Sequence, residues 1–232
     1  MLQFQNALAA ALLAAPLIIS TANAKVEKGN IAPPAVIVSI KPLHALVSGV
    51  MKGIGEPTLL VKGAASPHLY ALKPSDARHI AQANLIFRIG PTLEVFLEKP
   101  LKALGTQARI VDVITARHVL KLAYRGHHEP ATVKPDQHTH EDGKAGVDPH
   151  IWLDPDNAIA ISQLITRELI AADAENASSY GSNASRMISE IRSLDLELKA
   201  ELAAITGMQY LVHHDGYQYF EAHKSIDTLM NL

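Results

Sequence analysis

Apolar residues fall into short continuous runs and longer periodic stripes, and the two alternate along the first half of the chain. Residues 35–40 form an apolar, β-branched run, which predicts a buried strand. Pro42 then opens a helical stripe through Leu43, Leu46, Val47 and Val50 that stops at Gly53 and Gly55. Residues 57–61 predict a second strand, with a loop at 62–68 behind it. Pro74 starts a helix with Ser75 and Asp76 in its first turn, expected to bury Ala77, Ile80 and Ala81. Residues 85–89 predict a third strand, closed by Gly90 and Pro91. A short helix at 93–104 and a strand at 109–113 follow. Strand and helix in this rhythm imply the α/β class, with a parallel sheet and crossover helices.

Residues 127–146 break the pattern. This stretch holds four histidines (His127, His128, His138, His140), four acidic residues and two prolines, with Val133 as its only sizeable aliphatic. It offers too little apolar surface to offset its ordering entropy, so a mobile loop is expected. Order is expected to resume at Val147, and Asp154-Pro155 opens a helix through Ile159, Ile161, Leu164, Ile165 and Leu169. The strongest helical stripe covers residues 185–205, where Ile188, Ile191, Leu194, Leu198, Leu202 and Ile205 recur at three- and four-residue steps. Such a helix is roughly 30 Å long. It suits a rigid strut between two lobes as well as an ordinary amphipathic helix on one domain. Residues 210–212 read as a strand start and 217–223 as a short helix.

The N-terminal stripe is of another kind. Residues 7–19 are continuously apolar, and Ala22 and Ala24 fit the small-x-small pattern of a signal-peptide cleavage site. The run is short for a membrane span of about 20 residues. No Lys or Arg precedes it, so a core helix or a misassigned start stays open. With residues 1–24 read as a leader, the product is expected outside the cytoplasm. A formal net charge of −2 gives no argument for nucleic acid or an anionic membrane surface. With no cysteine, disulfides and thiolate metal sites are excluded, and any metal must bind nitrogen or oxygen. Aromatic residues make up only 5%, which argues against stacking platforms for sugars or bases.

Three distant phrases end on or contain a histidine: Ser66-Pro67-His68, Asp148-Pro149-His150 and Val212-His213-His214-Asp215. Neutral imidazole is the commonest protein ligand for zinc, and three such points make most of a tetrahedral site. Each has a bland alternative. His68 on a loop can simply be solvated. His150, between Pro149 and Ile151-Trp152, can be a half-buried ring bonded to a backbone carbonyl. Of the adjacent pair His213 and His214, a strand lets only one face a given side. Asp215 is a candidate to orient an imidazole from behind the ligands. The spacings match no local zinc motif, and no H-E-x-x-H or G-x-S-x-G is present. A zinc hydrolase using three histidines and a bound water is the alternative function, although a glutamate placed to activate that water is not evident. His44, His79, His118 and His223 carry no pattern and are expected to be structural or solvated.

Several segments resemble the solute-binding proteins of zinc and manganese ABC importers. Gly63-Ala-Ala-Ser-Pro-His68-Leu-Tyr with Leu72-Lys-Pro-Ser-Asp76 is similar to their first metal-binding region. Asn84-Leu-Ile-Phe-Arg-Ile-Gly-Pro91 continues the likeness, and Glu94 stands in the usual place behind it. Asp148-Pro-His150-Ile-Trp-Leu-Asp-Pro155 resembles the second region and His214-Asp-Gly-Tyr217-Gln-Tyr-Phe220 the third, with a His/Asp-rich loop before the second as in the zinc branch. The resemblance implies His68, His150 and His214 as ligands for Zn²⁺, with His213 a neighbour only. It implies a monomeric periplasmic zinc-capture protein without catalysis, docking on a cognate ABC permease in the inner membrane. The weak auxiliary sites would be His127, His128, His138 and His140.

It also implies two α/β lobes joined by one long helix, and gives the organisation 1–24 leader, 25–184 metal-binding lobe, 185–206 linking helix and 207–232 start of a second lobe. In the family that second lobe often supplies an acidic fourth ligand. Here only residues 208–232 follow Gly207, and the likeness fades after Phe220. The expectation is therefore an incomplete second lobe, with residues 210–232 loosely held, or a truncated remnant that no longer transports.

Overall fold

The computed structural model describes residues 32–63, 65–104, 107–125, 146–205, 210–212, 214–224 and 228–231. The leader at 1–24, the histidine-rich stretch with His127, His128, His138 and His140, and His213 lie outside the described residues. The chain divides into Met1–Ala32 and a compact unit Pro33–Leu232, and the architecture below is that of the second unit.

Four parallel strands carry the fold: β1 (Val36–Val38), β2 (Thr58–Leu59), β3 (Leu85–Arg88) and β4 (Arg109–Asp112), in the spatial order β2-β1-β3-β4. Crossovers run through α1 (Lys41–Met51), α2 (Pro74–Gln82) and α3 (Val95–Ala103). β1 and β3 are buried throughout, which is why Val36–Val38 and Leu85–Phe87 are continuous apolar runs and not alternating ones, with Arg88 at the end of β3 paired to Glu98 and Asp112. The pleat sends Val36, Val38, Leu85 and Phe87 into one core and Ile37 and Ile86 into the other. The first core is closed by α1, by α4 (Pro155–Ala172) and by the start of α5 (Ala177–Leu202), through Leu43, Val47, Ile161, Ile165, Leu169 and Tyr180. The second is closed by Ile80 and Leu97 from α2 and α3.

The helix α2 differs from expectation at one face. Ile80 is buried, but Ala81 is exposed and Asp76 is buried in its place. The reason is polar: the Asp76 carboxylate takes the Lys73 backbone N–H at 3.0 Å and lies 2.9 Å from the Tyr70 hydroxyl. That turns the Asp76 face toward the sheet.

The long helix starts earlier than its apolar stripe, at Ala177. Ser178, Ser179, Gly181 and Ser182 are indifferent or poor helix formers, so local propensity hides this half. Packing compensates for it, because Tyr180 is fully buried and the Asn183 side chain donates to Val50 and Lys52 carbonyls at 2.9 Å. At 26 residues, α5 is about 39 Å long. Its second half leaves the core: Leu194 is 53% exposed and Leu196 68%. After α5 come β5 (Tyr210–Val212), α6 (Gln218–Lys224) and β6 (Thr228–Asn231), where β5 and β6 pair in parallel as a separate two-stranded sheet.

The segment from β5 through α6 is tied down at several points. Tyr219 is fully buried, and its hydroxyl donates to the Asp148 carbonyl at 2.8 Å while accepting from Leu122 N–H at 2.9 Å. Burial pushes the Tyr219 phenol up to about 12. Lys224 and His223 both reach the Asp195 carboxylate on α5, His223 at 3.0 Å. His223 thus has partners that no sequence pattern indicated. Among the described residues no helix is long and apolar enough to cross a membrane.

Candidate metal centre

Each of the three histidines is set by its own local device. His68 lies in a single 3-10 turn, Pro67–Leu69, in the loop that leaves the carboxyl end of β2. The Ser66 hydroxyl accepts the His68 backbone N–H at 3.3 Å, and Pro67 fixes the first position of the turn. Tyr70 anchors the loop's far end, with its hydroxyl 3.0 Å from the Leu60 carbonyl and its ring 5.1 Å from that of Phe96.

His150 precedes the 3-10 turn Ile151–Leu153 and the start of α4. Asp154 caps that helix through Asp156 and Asn157 N–H groups at 2.7 and 3.0 Å. Asp148 folds back on His150: its Oδ1 accepts the ring Nδ1–H at 2.6 Å and the backbone N–H at 3.0 Å. Both residues are buried. With Nδ1 so engaged, the lone pair of a neutral ring resides on Nε2. His214 sits in the turn after β5, where its carbonyl accepts the Gly216 N–H at 2.8 Å.

The three rings meet. Centroid distances are 6.0 Å for His68–His150, 5.8 Å for His68–His214 and 5.0 Å for His150–His214. One ligand nitrogen from each lies within 4.8 Å of the others, and the His150 and His214 Nε2 atoms are 3.1 Å apart. Two nitrogens at about 2.05 Å from a tetrahedral zinc would be about 3.3 Å apart. His150 is buried, while His68 and His214 reach the surface. Partial loss of solvent, then the charge of the His150 and His214 rings, lowers the His68 pKa from 6.5. The site therefore favours a neutral His68 ring with a free lone pair, the form a metal needs. It lies in an open cavity of about 1080 Å³ whose other walls are mainly apolar, with Trp152, Leu202, Leu211, Tyr217 and Phe220 among them.

Asp215 corrects an expectation. It forms an ion pair with Arg125, and the carboxylate that orients a histidine is Asp148. The signal was present in Asp-Pro-His, where proline two-residue geometry lets the acid reach back. Gly216 was also missed: a Cβ there would stand 3.1 Å from the His214 ring and 3.2 Å from the His150 ring. Glu94 is fully buried at the carboxyl ends of β1 and β3. It accepts from Ser39 Oγ at 2.6 Å and from the Ile89 and Gly90 N–H groups at 2.9 Å. Burial raises its pKa, and these three donors oppose the rise. A second group, Asp154, Asp156 and His223, also brings ligand atoms together, but Asp154 is occupied as a helix cap and His223 by Asp195. His44 is structural, its Nε2 3.0 Å from the Pro57 carbonyl.

Comparison with known proteins places the chain in a family. The family model described as "Zinc-uptake complex component A periplasmic" (ZnuA) matches residues 36–230. The chain belongs to this family. A ZnuA-family relative from Brucella abortus strain 2308, a high-affinity zinc uptake system protein, is 39% identical over 211 residues, covering 80% of this chain and 63% of its own. A relative of the same name from Paracoccus denitrificans is 32% identical, with 84% and 65% covered. The chain thus spans a little under two thirds of the length of these curated relatives. Among solved structures, a ZnuA crystal structure superposes with a TM-score of 0.72 at 23% identity, covering 85% of this chain and 70% of that one. The periplasmic zinc-binding protein TroA from Treponema pallidum gives 0.71 at 17%, covering 85% and 66%. At these identities the structural matches establish the α/β fold alone.

Proposed function

We propose that this chain captures zinc in the periplasm as the solute-binding component of an ABC importer and passes it to the importer's permease. One observation carries the reading: three imidazoles from three distant segments converge, with the two Nε2 atoms of His150 and His214 only 3.1 Å apart. Such a set of neutral nitrogen donors suits a borderline divalent ion such as zinc better than a hard one such as Mn²⁺. Zinc is the cargo, His68, His150 and His214 are its ligands, and water or an acidic residue completes the tetrahedron. Asp148 holds the His150 ring with Nε2 toward the ion. Membership of a zinc-uptake family supports this, as do the names of the relatives.

In this reading residues 1–24 are a secretory leader, 25–184 the metal-binding lobe, 185–206 the linking helix and 207–232 the beginning of a second lobe. The separate β5–β6 sheet and the exposed second half of α5 support that division. The stretch 127–146 acts as a weak collector of zinc through His127, His128, His138 and His140. The test is a competition titration with a chromophoric chelator on the purified 232-residue chain. His68→Ala, His150→Ala and His214→Ala should each weaken zinc binding far more than His44→Ala or His79→Ala. Equal effects from all five replacements would overturn the assignment.

A further inference from the structure

Arg125 ties the segment before the His150 region to the turn that carries His214 and to α6. One of its guanidinium nitrogens pairs with Asp215, the residue next to His214. Another donates to the Glu221 carboxylate of α6 at 2.5 Å. Glu221 is 3% exposed, and its other oxygen accepts from the Tyr210 hydroxyl of β5 at 2.5 Å. A single cation therefore fixes the turn carrying His214 from both sides, through β5 and through α6.

The segment that supplies Arg125 is bonded to the segment that supplies His150. Tyr124 N–H donates to the Gly146 carbonyl at 3.0 Å, and Asp148 N–H to the Leu122 carbonyl at 2.9 Å. Gln218 of α6 donates to the Ala123 carbonyl at 3.1 Å. Residues 122–125 thus form a short bar with the His150 segment on one side and the His214 turn on the other. The bar ends in a charged fork whose two arms reach different carboxylates, a geometry that lysine cannot reproduce. Among the described residues the buried Arg125 Nε has no partner, and the side chain's partners there are these two carboxylates.

We propose that Arg125 is a positioning residue for the metal centre: through Asp215 it sets where the His214 ring stands relative to His150, and so governs how tightly zinc is held and how slowly it leaves. This rests on the zinc reading above. A group bonded directly to a ligand is worth about 10- to 100-fold in affinity; Arg125 stands one residue further off, so the low end, about tenfold, is expected.

The experiment uses the full chain with Arg125→Met, Arg125→Lys, Asp215→Asn and Glu221→Gln. Zinc affinity is read by chelator competition, zinc release by a chelator chase, site geometry by the Co²⁺ electronic spectrum, and stability by thermal melting of the metal-free protein. Arg125→Met should raise the zinc dissociation constant about tenfold, speed release and alter the Co²⁺ spectrum. Asp215→Asn should reproduce most of that loss, Arg125→Lys should recover part of it, and Glu221→Gln should act mainly on melting. If Arg125→Met lowers the melting temperature yet leaves affinity, release and spectrum as in the wild type, Arg125 is structural only and the proposal is wrong. Should Arg125→Met not fold, Arg125→Lys and Asp215→Asn decide by the same readings.

Histidine-selective NMR of the metal-free chain separates the two inferences. The His214 ring signal should shift or broaden in Arg125→Met more than that of His44. That outcome supports the positioning role even if the wild type failed to bind zinc, a failure that would remove the functional reading instead. A His214 signal unchanged by Arg125→Met counts against the positioning role in either case.

Discussion

Replacing Asp148 by asparagine isolates the charge behind the metal site from its hydrogen bonds. The Asp148 Oδ1 accepts two bonds from His150, at 2.6 Å from the ring and 3.0 Å from the backbone, in a position 1% exposed. Asparagine can offer an amide oxygen to the same two donors, so the fold should hardly notice. What disappears is the negative charge that strengthens the ring as a donor. Partners of this kind are worth about 10- to 100-fold in metal affinity, which corresponds to about 1.4–2.7 kcal/mol. Asp148→Ala should add a second effect, since two buried donors lose their acceptor at about 1–3 kcal/mol each. Chelator competition measures the first quantity and urea unfolding of the metal-free chain the second. The asparagine variant should lose affinity with little loss of stability, and the alanine variant should lose both. If Asp148→Asn binds zinc within twofold of the wild type while His150→Ala abolishes binding, the carboxylate does not tune the ring and the argument fails.

Three other outcomes follow from the site. His68 has its pKa lowered by partial desolvation and then by the neighbouring rings, so the folded state favours its neutral form. Its contribution to stability is present in full above the unfolded value of 6.5 and is lost as pH falls through the lower folded value; NMR titration of the metal-free chain should show His68 protonating at lower pH than in an unfolded peptide of the same sequence. Zinc affinity should fall over the same acidic range, because protons compete for the same lone pairs. Gly216→Ala should push on both the His214 and His150 rings, which lie 3.1 and 3.2 Å from the added Cβ, and should weaken zinc binding with little change in melting; unchanged affinity would mean the rings yield without cost. Glu94→Ala strips the acceptor from three buried donors on Ser39, Ile89 and Gly90, and should cost about 3 kcal/mol or more in urea unfolding; a loss below about 1 kcal/mol would show that water replaces the carboxylate.

The apolar runs at β1 and β3, the proline-started helices α1, α2 and α4, and the stripe of α5 all carried their own local signal. Each depends on residues within a turn or two of one another, which is why period and caps sufficed. The meeting of His68, His150 and His214 was also legible, but through likeness of their three phrases to a known family. No local rule joins residues so far apart, and each histidine taken singly had an ordinary alternative.

Only the folded chain decided which side chains meet. Sequence offered Asp215 as the carboxylate behind the ligands, yet Asp148 holds His150 and Asp215 is turned to Arg125. The choice depends on where Arg125 arrives, a contact across 90 residues. Burial of Asp76 in place of Ala81, partners for His223 and the docking of the polar start of α5 have the same origin. For Asp76 a polar bond to the preceding loop, and for the other two a hydrogen bond or ion pair to a distant segment, outweighs what local propensity or periodicity prefers. Period and propensity are properties of neighbours along the chain; the reach of a carboxylate is a property of neighbours in space.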